Sequence, residues 1–184
     1  MINQHESFYL LENREIKELE DKENKGLFLK WSMKGQIKYF FLSFDNNIIP
    51  GSEKEFIRHL LTSNVVIQLL STQASLPYVT FDITLSRVPC TLVNRTIFDR
   101  IFGSEIASHD GGELNQNESN VNVYIDFVSN LYKELIVPVK DGHTGVIRPG
   151  SLVYEFKLTK DGHVIFPSSN DFINDFAYVV IDQN

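Results

Sequence analysis

Two different hydrophobic periods alternate along this chain, and they exclude a fold built from helices alone or from strands alone. A period of two residues, typical of half-buried strands, occurs in residues 78–88 and 151–158. A period near 3.6 residues, typical of amphipathic helices, occurs in residues 53–62 and 121–136. The mixture predicts an α+β fold with a mixed, mostly antiparallel sheet of about six to eight strands and about three to five helices packed on it.

Two hairpins are predicted within the strand-like segments. Asp161-Gly162 separates residues 151–158 from residues 163–166, and Asp-Gly between two apolar alternations is typical of a tight hairpin turn. The turn Lys34-Gly35 separates residues 27–33 from residues 36–44. Because residues 36–44 are apolar on both faces, we expect this strand to be central in a sheet that is covered on both sides.

Helix boundaries follow from caps and breakers. We expect one charged helix over 12–25 that ends at Gly26, and another over 53–62 that begins with a capping box between Ser52 and Glu55. Pro138 ends a predicted helix over 121–136, for which a strand at 121–127 is the alternative. The remaining predictions are a buried strand at 65–70, a short helix at 94–102 and a short helix that contains Phe172, Ile173 and Phe176.

The length of 184 residues predicts a single globular domain over 1–184. No secretory signal precedes the first predicted element, and the apolar runs are far shorter than the roughly 20 residues that span a bilayer. The single cysteine, Cys90, cannot form an internal disulfide, which fits a reducing compartment. These features predict a soluble cytoplasmic protein with no membrane contact.

The charge balance indicates which partners suit the chain. The 17 basic and 24 acidic residues give a net charge of −7, and no cluster of cations is available for the phosphates of a nucleic acid. The polar segment 104–120 forms an acidic loop without Lys or Arg, and its acids are the candidate partner-binding residues Glu105, Asp110, Glu113 and Glu118. An acidic loop on a rigid scaffold attracts a basic protein, whereas the alternative is a solvated, partly disordered loop.

Candidate catalytic and metal-binding residues are few. The tetrapeptide Lys-Asp-Gly-His occurs at 140–143 and at 160–163, and turn formation explains both copies better than metal binding, because tight turns select Asp-Gly. Cys90 with His109 and Asp110 is a candidate nucleophile pair, although a lone cysteine is commonly a buried apolar residue. The phosphate-binding glycine motifs and Gly-x-Ser-x-Gly are lacking. We therefore expect no catalytic residues, no metal and no cofactor.

These observations favour a non-enzymatic binding protein. The leading hypothesis is an immunity-type inhibitor that occludes a basic partner such as a nuclease toxin, with an oligomeric state that the sequence leaves open. One alternative is a structural or assembly subunit of a larger complex, which would bind through an aromatic and hydrophobic surface. A second alternative is a small enzyme that uses Cys90. Salt separates the first two, because it weakens a charge-steered complex and has little effect on an apolar one.

Overall fold

A computed structural model describes residues 8–30, 37–45, 47–74, 76, 80–88, 118–168 and 175–182. Within them lie five helices, α1 Lys17–Glu20, α2 Lys22–Lys30, α3 Glu53–Thr62, α4 Asn64–Ala74 and α5 Glu118–Ile136. The eight strands are β1 Phe8–Leu10, β2 Leu42–Phe44, β3 Asp82–Val88, β4 Pro138–Lys140, β5 Ile147–Pro149, β6 Ser151–Lys160, β7 His163–Phe166 and β8 Tyr178–Asp182. The predicted α+β class is confirmed, although the strands of the described residues are divided among three sheets and do not form one sheet of six to eight strands.

The strands belong to three sheets. Strands β1 and β2 form an antiparallel pair, and so do β4 and β5. The third sheet has the order β3-β6-β7, and β8 also pairs with β6. Antiparallel pairing joins β6 to both β7 and β8. The long strand β6 therefore organises the largest sheet.

The chain divides into two compact units. Unit 1 comprises Met1–Arg14, Lys38–Leu85 and Phe156–Asp171. Unit 2 comprises Glu15–Ile37, Ser86–Glu155 and Phe172–Asn184. Strand β6 contributes residues to both units. The expectation of a single globular domain over 1–184 stays a prediction.

Helix α3 in unit 1 confirms the predicted helix at 53–62 and its buried face, which includes Ile57, Leu60 and Leu61. The predicted capping box is wrong. The Ser52 hydroxyl donates to the carbonyl of Ile49 at 2.7 Å. The Glu53 carboxylate accepts the backbone N–H of Gly51 at 3.0 Å. The Ser52 side chain is turned toward the preceding turn and cannot cap α3.

Helix α4 in unit 1 corrects the predicted strand at 65–70. Val66 and Leu70, four residues apart, are both buried, so that one helical face reaches the core. The Ser63 hydroxyl lies 3.4 Å from the backbone N–H of Val66 and accepts from it near the start of the helix. Burial of one helical face and this local hydrogen bond outweigh the strand preference of the β-branched residues.

The hairpin of β6 and β7 is confirmed at the predicted turn. Lys160 pairs with His163, so Asp161 and Gly162 form a two-residue loop. The register shifts by one residue between Leu158 and Thr159, which leaves Ile165 as a bulge in β7. Strand β3 likewise confirms the strand predicted at 78–88 for residues 82–88, whereas the described residues 80 and 81 are not in a strand. The apolar residues of β3 alternate with exposed polar ones.

In unit 2, the helix predicted at 12–25 is two helices. Asp21 ends α1 in an extended conformation, and its carboxylate accepts the backbone N–H groups of Glu23 at 2.8 Å and Asn24 at 3.0 Å. Asp21 is therefore the N-cap of α2. Gly26 does not end the helix, because it lies inside α2.

The predicted hairpin over 27–44 is wrong at both of its described strands. Residues 27–30 are helical, and Phe28 packs edge-on against Phe127 of α5 with ring centroids 5.2 Å apart. Strand β2 belongs to a two-stranded sheet and pairs with β1 near the start of the chain, so it is not the centre of a covered sheet. The turn residues Lys34-Gly35 lie outside the described residues.

Helix α5 confirms the predicted helix at 121–136 and excludes the alternative strand at 121–127. It also caps the N-terminus of α1. Ile16 occupies the N-cap position there, and its side chain cannot accept a hydrogen bond. The Glu134 carboxylate accepts the backbone N–H groups of Lys17 at 2.8 Å and Glu18 at 3.1 Å. A residue more than a hundred positions away thus supplies the cap.

Two predicted short helices are not tested. The helix at 94–102 lies outside the described residues, as do Phe172 and Ile173 of the last one. Residues 175–177 are described and are not helical, and β8 follows them.

Candidate functional site

Most of the predicted partner-binding acids are not described. Glu105, Asp110 and Glu113 lie outside the described residues, together with Cys90 and His109. Glu118 is the first residue of α5. The acidic segment 104–120 therefore stays a prediction as a binding surface, and so does the Cys90 nucleophile.

Both copies of Lys-Asp-Gly-His form turns, as predicted. The Asp141 carboxylate accepts the backbone N–H groups of Thr144 at 2.8 Å and His143 at 2.9 Å. Hydrogen bonds from the backbone and the side chain of Thr144, and then from the backbone of His143, lower the pKa of Asp141. In the part of the chain that the structure describes, no group of three or more His, Cys, Asp or Glu side chains is placed to hold a metal ion.

The ribbon of β1 and β2 in unit 1 has one face directed at α3. Phe8 and Phe44 are directly opposite each other in the register, and both contact the ring of Phe56, with centroid distances of 5.7 Å and 4.7 Å. Phe8 also packs edge-on against His59 at 5.4 Å. This aromatic cluster fixes the ribbon against the helix, because aromatic pairs in such geometry add to the stabilisation that burial provides.

The opposite side of this ribbon, which we call the outer ribbon face, carries Tyr9, Arg14, Tyr39, Phe41 and Asp45. Tyr9 is 51% exposed, and its hydroxyl donates to Asp45 at 3.2 Å. The Arg14 guanidinium lies 4.8 Å from the centre of the Phe41 ring, and Tyr39 packs edge-on against the same ring at 5.9 Å. The backbone N–H of Leu11 donates to the carbonyl of Phe41 at 2.8 Å and extends the pairing beyond β1.

This arrangement suits the binding of another protein. Tyrosine, phenylalanine and arginine are enriched in protein interfaces, because they bury a large area, to which tyrosine and arginine add directed hydrogen bonds. The contacts of Arg14 with Phe41 and of Tyr9 with Asp45 hold these side chains in place, which reduces the entropy lost when a partner binds. Further large apolar side chains of unit 1 are exposed, namely Leu10, Phe40 and Ile49.

Part of this surface could be found in the sequence. The aromatic content of residues 36–44 predicts an extended segment, but apolar residues on both of its faces favour a buried central strand, which the structure does not show. The partner of β2 is β1, which lies more than thirty residues earlier and is only three residues long. Nothing in the local pattern of so short a strand indicates which segment it pairs with.

A family model described as Cilia- and flagella-associated protein 300 matches residues 5–111 and 109–184. The chain belongs to this family. The match covers both units and nearly the whole chain. No solved structure matches the chain. Among the helices described here, none combines the length and the hydropathy that crossing a membrane requires.

Membership of the cilia- and flagella-associated protein 300 family corrects two expectations. The hypothesis of an immunity-type inhibitor of a nuclease toxin is wrong, because the family is associated with cilia and flagella. The generic cytoplasmic location is wrong for the same reason. Small size, acidity and the lack of a catalytic motif are shared by many classes of binding protein. These features could not distinguish an inhibitor from a structural or assembly subunit. The family agrees better with the alternative hypothesis of a structural or assembly subunit.

Proposed function

We propose that this chain is a structural or assembly subunit of a larger complex in the cilium or flagellum. The observation that carries the proposal is the family match, which extends over both units of the chain. The outer ribbon face supports it, because an assembly subunit needs an aromatic and apolar surface through which it binds its neighbours.

In this function the outer ribbon face acts as a preformed contact. Tyr9 projects from β1 with half of its surface exposed, so a neighbouring subunit that covers it would bury a large apolar area. Asp45 holds the Tyr9 hydroxyl, and Phe41 supports Arg14. A central aromatic residue in an interface commonly contributes about 2 kcal/mol or more to binding, so Tyr9 is the residue whose truncation has the largest expected effect.

The acidic segment is a second proposed contact. Glu105, Asp110, Glu113 and Glu118 would attract a basic subunit of the same complex, through the field of four carboxylates without a neighbouring cation in the sequence. We expect neutralising all four acids together to weaken the affinity for that subunit. An unchanged affinity would show that the segment is not a contact.

The proposal is tested by expressing the tagged full chain in ciliated or flagellated cells. We expect the chain to locate to the organelle or its assembly sites, and to retain a stoichiometric partner that is also found in isolated cilia or flagella. Retention should persist at high salt, because an apolar contact is weakly screened. A chain that shows neither the location nor such a partner contradicts the proposal.

Two matched variants identify the surface. Tyr9→Ser removes an exposed aromatic group from the outer ribbon face, whereas Leu29→Ser removes an exposed apolar group from α2 in unit 2. We expect Tyr9→Ser to weaken capture of the partner at least tenfold and Leu29→Ser to leave it within twofold, with thermal melting checking that both variants fold. Equal capture by both variants would exclude the outer ribbon face as the contact.

A further inference from the structure

The hairpin of β4 and β5 in unit 2, residues 137–149, forms an exposed arm. Pro138 pairs with Pro149, Val139 with Arg148 and Lys140 with Ile147. Every side chain of the arm whose exposure is described is exposed, apart from the half-buried Asp141. The arm therefore presents its side chains to solvent instead of contributing them to the core of unit 2.

The turn and the base of the arm are both held by hydrogen bonds. At the tip, the Asp141 N–H donates to the carbonyl of Val146 at 2.9 Å, and the Gly145 N–H donates to the carbonyl of Asp141 at 2.9 Å. At the base, the Gly150 N–H lies 3.0 Å from the carbonyl of Ile136 and 3.1 Å from that of Val137. The arm is preformed, so a partner that binds it need not order it.

The arm differs in charge from the rest of the chain. It contains Lys140 and Arg148 against Asp141, which gives +2 − 1 = +1, whereas the whole chain carries −7. The arm therefore has a net charge opposite in sign to that of the rest of the chain. Such a local reversal favours a partner that is acidic where it meets the arm.

The arm also exposes valines. Val139 is 41% exposed and Val146 is 51% exposed. The Asp141 N–H donates to the carbonyl of Val146, so these two residues are opposite each other. Asp141 lies two residues after Val139 on the same strand side of the arm, and the two valines therefore share one face. A partner that fits this face needs apolar side chains as well as carboxylates.

The base of the arm is strained. Val137 has a φ of 48°, and its N–H donates to the carbonyl of Lys133 at 3.1 Å, which places it at the C′ position of α5 that glycine usually occupies. A β-branched residue in this left-handed conformation costs about 1–2 kcal/mol. Strain of this kind is commonly retained at binding sites, where it sets the direction of a side chain or a segment.

We propose that the 137–149 arm docks a segment of a neighbouring subunit in which acidic side chains alternate with apolar ones. This inference rests on the proposed function for the existence of such a neighbour. The segment's carboxylates would meet Lys140, and its apolar side chains would cover Val139 and Val146, which the register places on the opposite face of the arm. A nucleic acid or an anionic membrane fits less well, because a long polyanion is repelled by the remaining chain, whose net charge is −7 − 1 = −8.

The test uses the full-length ¹⁵N-labelled chain and a synthetic peptide of alternating Glu and Val residues as the probe. Two further peptides serve as controls, one alternating Lys and Val and one alternating Glu and Ser. We expect the Glu/Val peptide to shift the amide resonances of the 137–149 arm, and both controls to bind at least tenfold more weakly. Shifts that lie outside the arm, or equal binding of all three peptides, would overturn the proposal.

The repeated tetrapeptide provides a matched pair of charge reversals. Lys140→Glu and Lys160→Glu change the net charge equally, both residues are exposed, and both stand before Asp-Gly-His. We expect Lys140→Glu to weaken Glu/Val peptide binding at least tenfold and to favour the Lys/Val peptide, whereas Lys160→Glu changes binding less than threefold through the net charge alone. Equal effects of the two reversals contradict the proposal.

Val146→Ser tests the apolar part of the docking face, and we expect it to weaken binding of the Glu/Val peptide about tenfold.

Vesicles of anionic lipid test a membrane as the competing ligand. If the chain binds the vesicles and not the peptide, and if Lys140→Glu abolishes vesicle binding, the arm binds a membrane and the proposed partner is wrong. Capture of the ciliary partner separates this inference from the proposed function. If the full chain captures the partner equally well with and without Lys140→Glu, the proposed function stands and the docking role of the arm is wrong.

Discussion

The residues Lys-Asp-Gly-His form two different turns in this chain. At 160–163, Lys160 pairs with His163, and the two loop residues Asp161 and Gly162 have φ values of 51° and 79°. Two consecutive positive φ values define a type I′ turn, whose twist matches that of the strands beside it. At 140–143, Lys140 pairs with Ile147 instead, so the loop contains six residues.

The residues after the tetrapeptide cause the difference. In the arm, Thr144 donates its N–H to the Asp141 carboxylate, and Gly145 with a φ of 68° turns the chain back toward β5. In the second hairpin, Val164 and Ile165 follow directly and continue β7. Identical tetrapeptides therefore adopt the turn that their neighbours allow, and a motif of this kind predicts a turn without predicting its type.

The two hairpins also differ in what their strands bury. Leu158 in β6 has no exposed surface, and Phe156 stacks on Phe166 across the hairpin with ring centroids 5.6 Å apart. The corresponding positions of the arm, such as Val139, face solvent. The β6–β7 hairpin is part of a core, whereas the arm is a surface that is available to a partner.

The largest difference between the hairpins should appear on truncation of an apolar residue. We expect Leu158→Ala to lower the free energy of unfolding by about 3 kcal/mol, because it leaves a cavity at a fully buried site. Val139→Ala in the arm should change it by less than about 0.5 kcal/mol. Chemical denaturation monitored by circular dichroism measures both, and similar losses for the two variants would show that the arm is packed as tightly as the core.

The left-handed glycines of the two turns give the next effect. Gly162→Ala places a side chain at a φ of 79°, and we expect a loss of about 1–2 kcal/mol in global stability. Gly145→Ala meets the same backbone restriction at a φ of 68°, but an exposed arm opens locally, so its global loss should be smaller. Added contacts do not explain either loss, because a Cβ on Gly162 meets nothing within 4 Å, and one on Gly145 meets the Lys140 side chain at 3.9 Å.

Amide hydrogen exchange separates these two outcomes. Gly145→Ala should accelerate exchange in residues 138–149 while leaving the β6–β8 pairing protected. Gly162→Ala should accelerate exchange in β6 and β7. A Gly145→Ala variant that loses as much global stability as Gly162→Ala would indicate that the arm unfolds together with the rest of unit 2.

The elements that could be predicted from the sequence are those with a local signal. The packed hairpin, α3 and α5 were predictable because their periodicity and their turn or breaker residues lie within 20 residues of one another. The pairing of β1 with β2 was not, since three-residue strands carry no register signal. The helical state of residues 65–70 depends on burial of Val66 and Leu70, which tertiary packing decides.

The candidate sites were predictable to a smaller extent. The aromatic character of residues 36–44 was visible, but its role on the outer ribbon face follows from contacts with Tyr9 and Arg14, which belong to another segment. The cap that Glu134 provides for α1 crosses 117 positions, and a glutamate in the last turn of a helix gives no local sign of it. Long-range partners of this kind are fixed by the fold and are invisible to a reading of neighbouring residues.

Two non-glycine residues of the hairpins have a positive φ. Val137 at the base of the arm and Asp161 in the packed hairpin have φ values of 48° and 51°. Aspartate tolerates this region better than a β-branched residue does. We therefore expect Val137→Gly to raise the free energy of unfolding by about 0.5–1 kcal/mol, after the greater flexibility of glycine in the unfolded chain is included, and Asp161→Gly to change it less. Thermal melting of both variants checks this, and a destabilised Val137→Gly would contradict strain at the base of the arm.

The smallest expected effect concerns the pH dependence of the turn in the arm. Hydrogen bonds from Thr144 and His143 lower the pKa of Asp141 below the ordinary aspartate value of about 3.9. A lowered pKa means that the folded turn binds the proton less tightly than the unfolded chain does. The stabilisation is therefore complete above the ordinary pKa and is lost as the pH falls through the lower pKa of the folded turn.

We expect the side-chain carboxyl carbon of Asp141 to titrate below the midpoint of an aspartate in the denatured chain, and the amide resonances of His143 and Thr144 to move with it in an NMR titration. Asp141→Asn is the control, because it should abolish this transition at both amides while leaving the β6–β7 hairpin unchanged. A midpoint at or above the denatured value would show that the six-residue loop is not held by the Asp141 carboxylate. The arm would then resemble the packed hairpin, whose turn is specified by backbone conformation at Asp161 and Gly162.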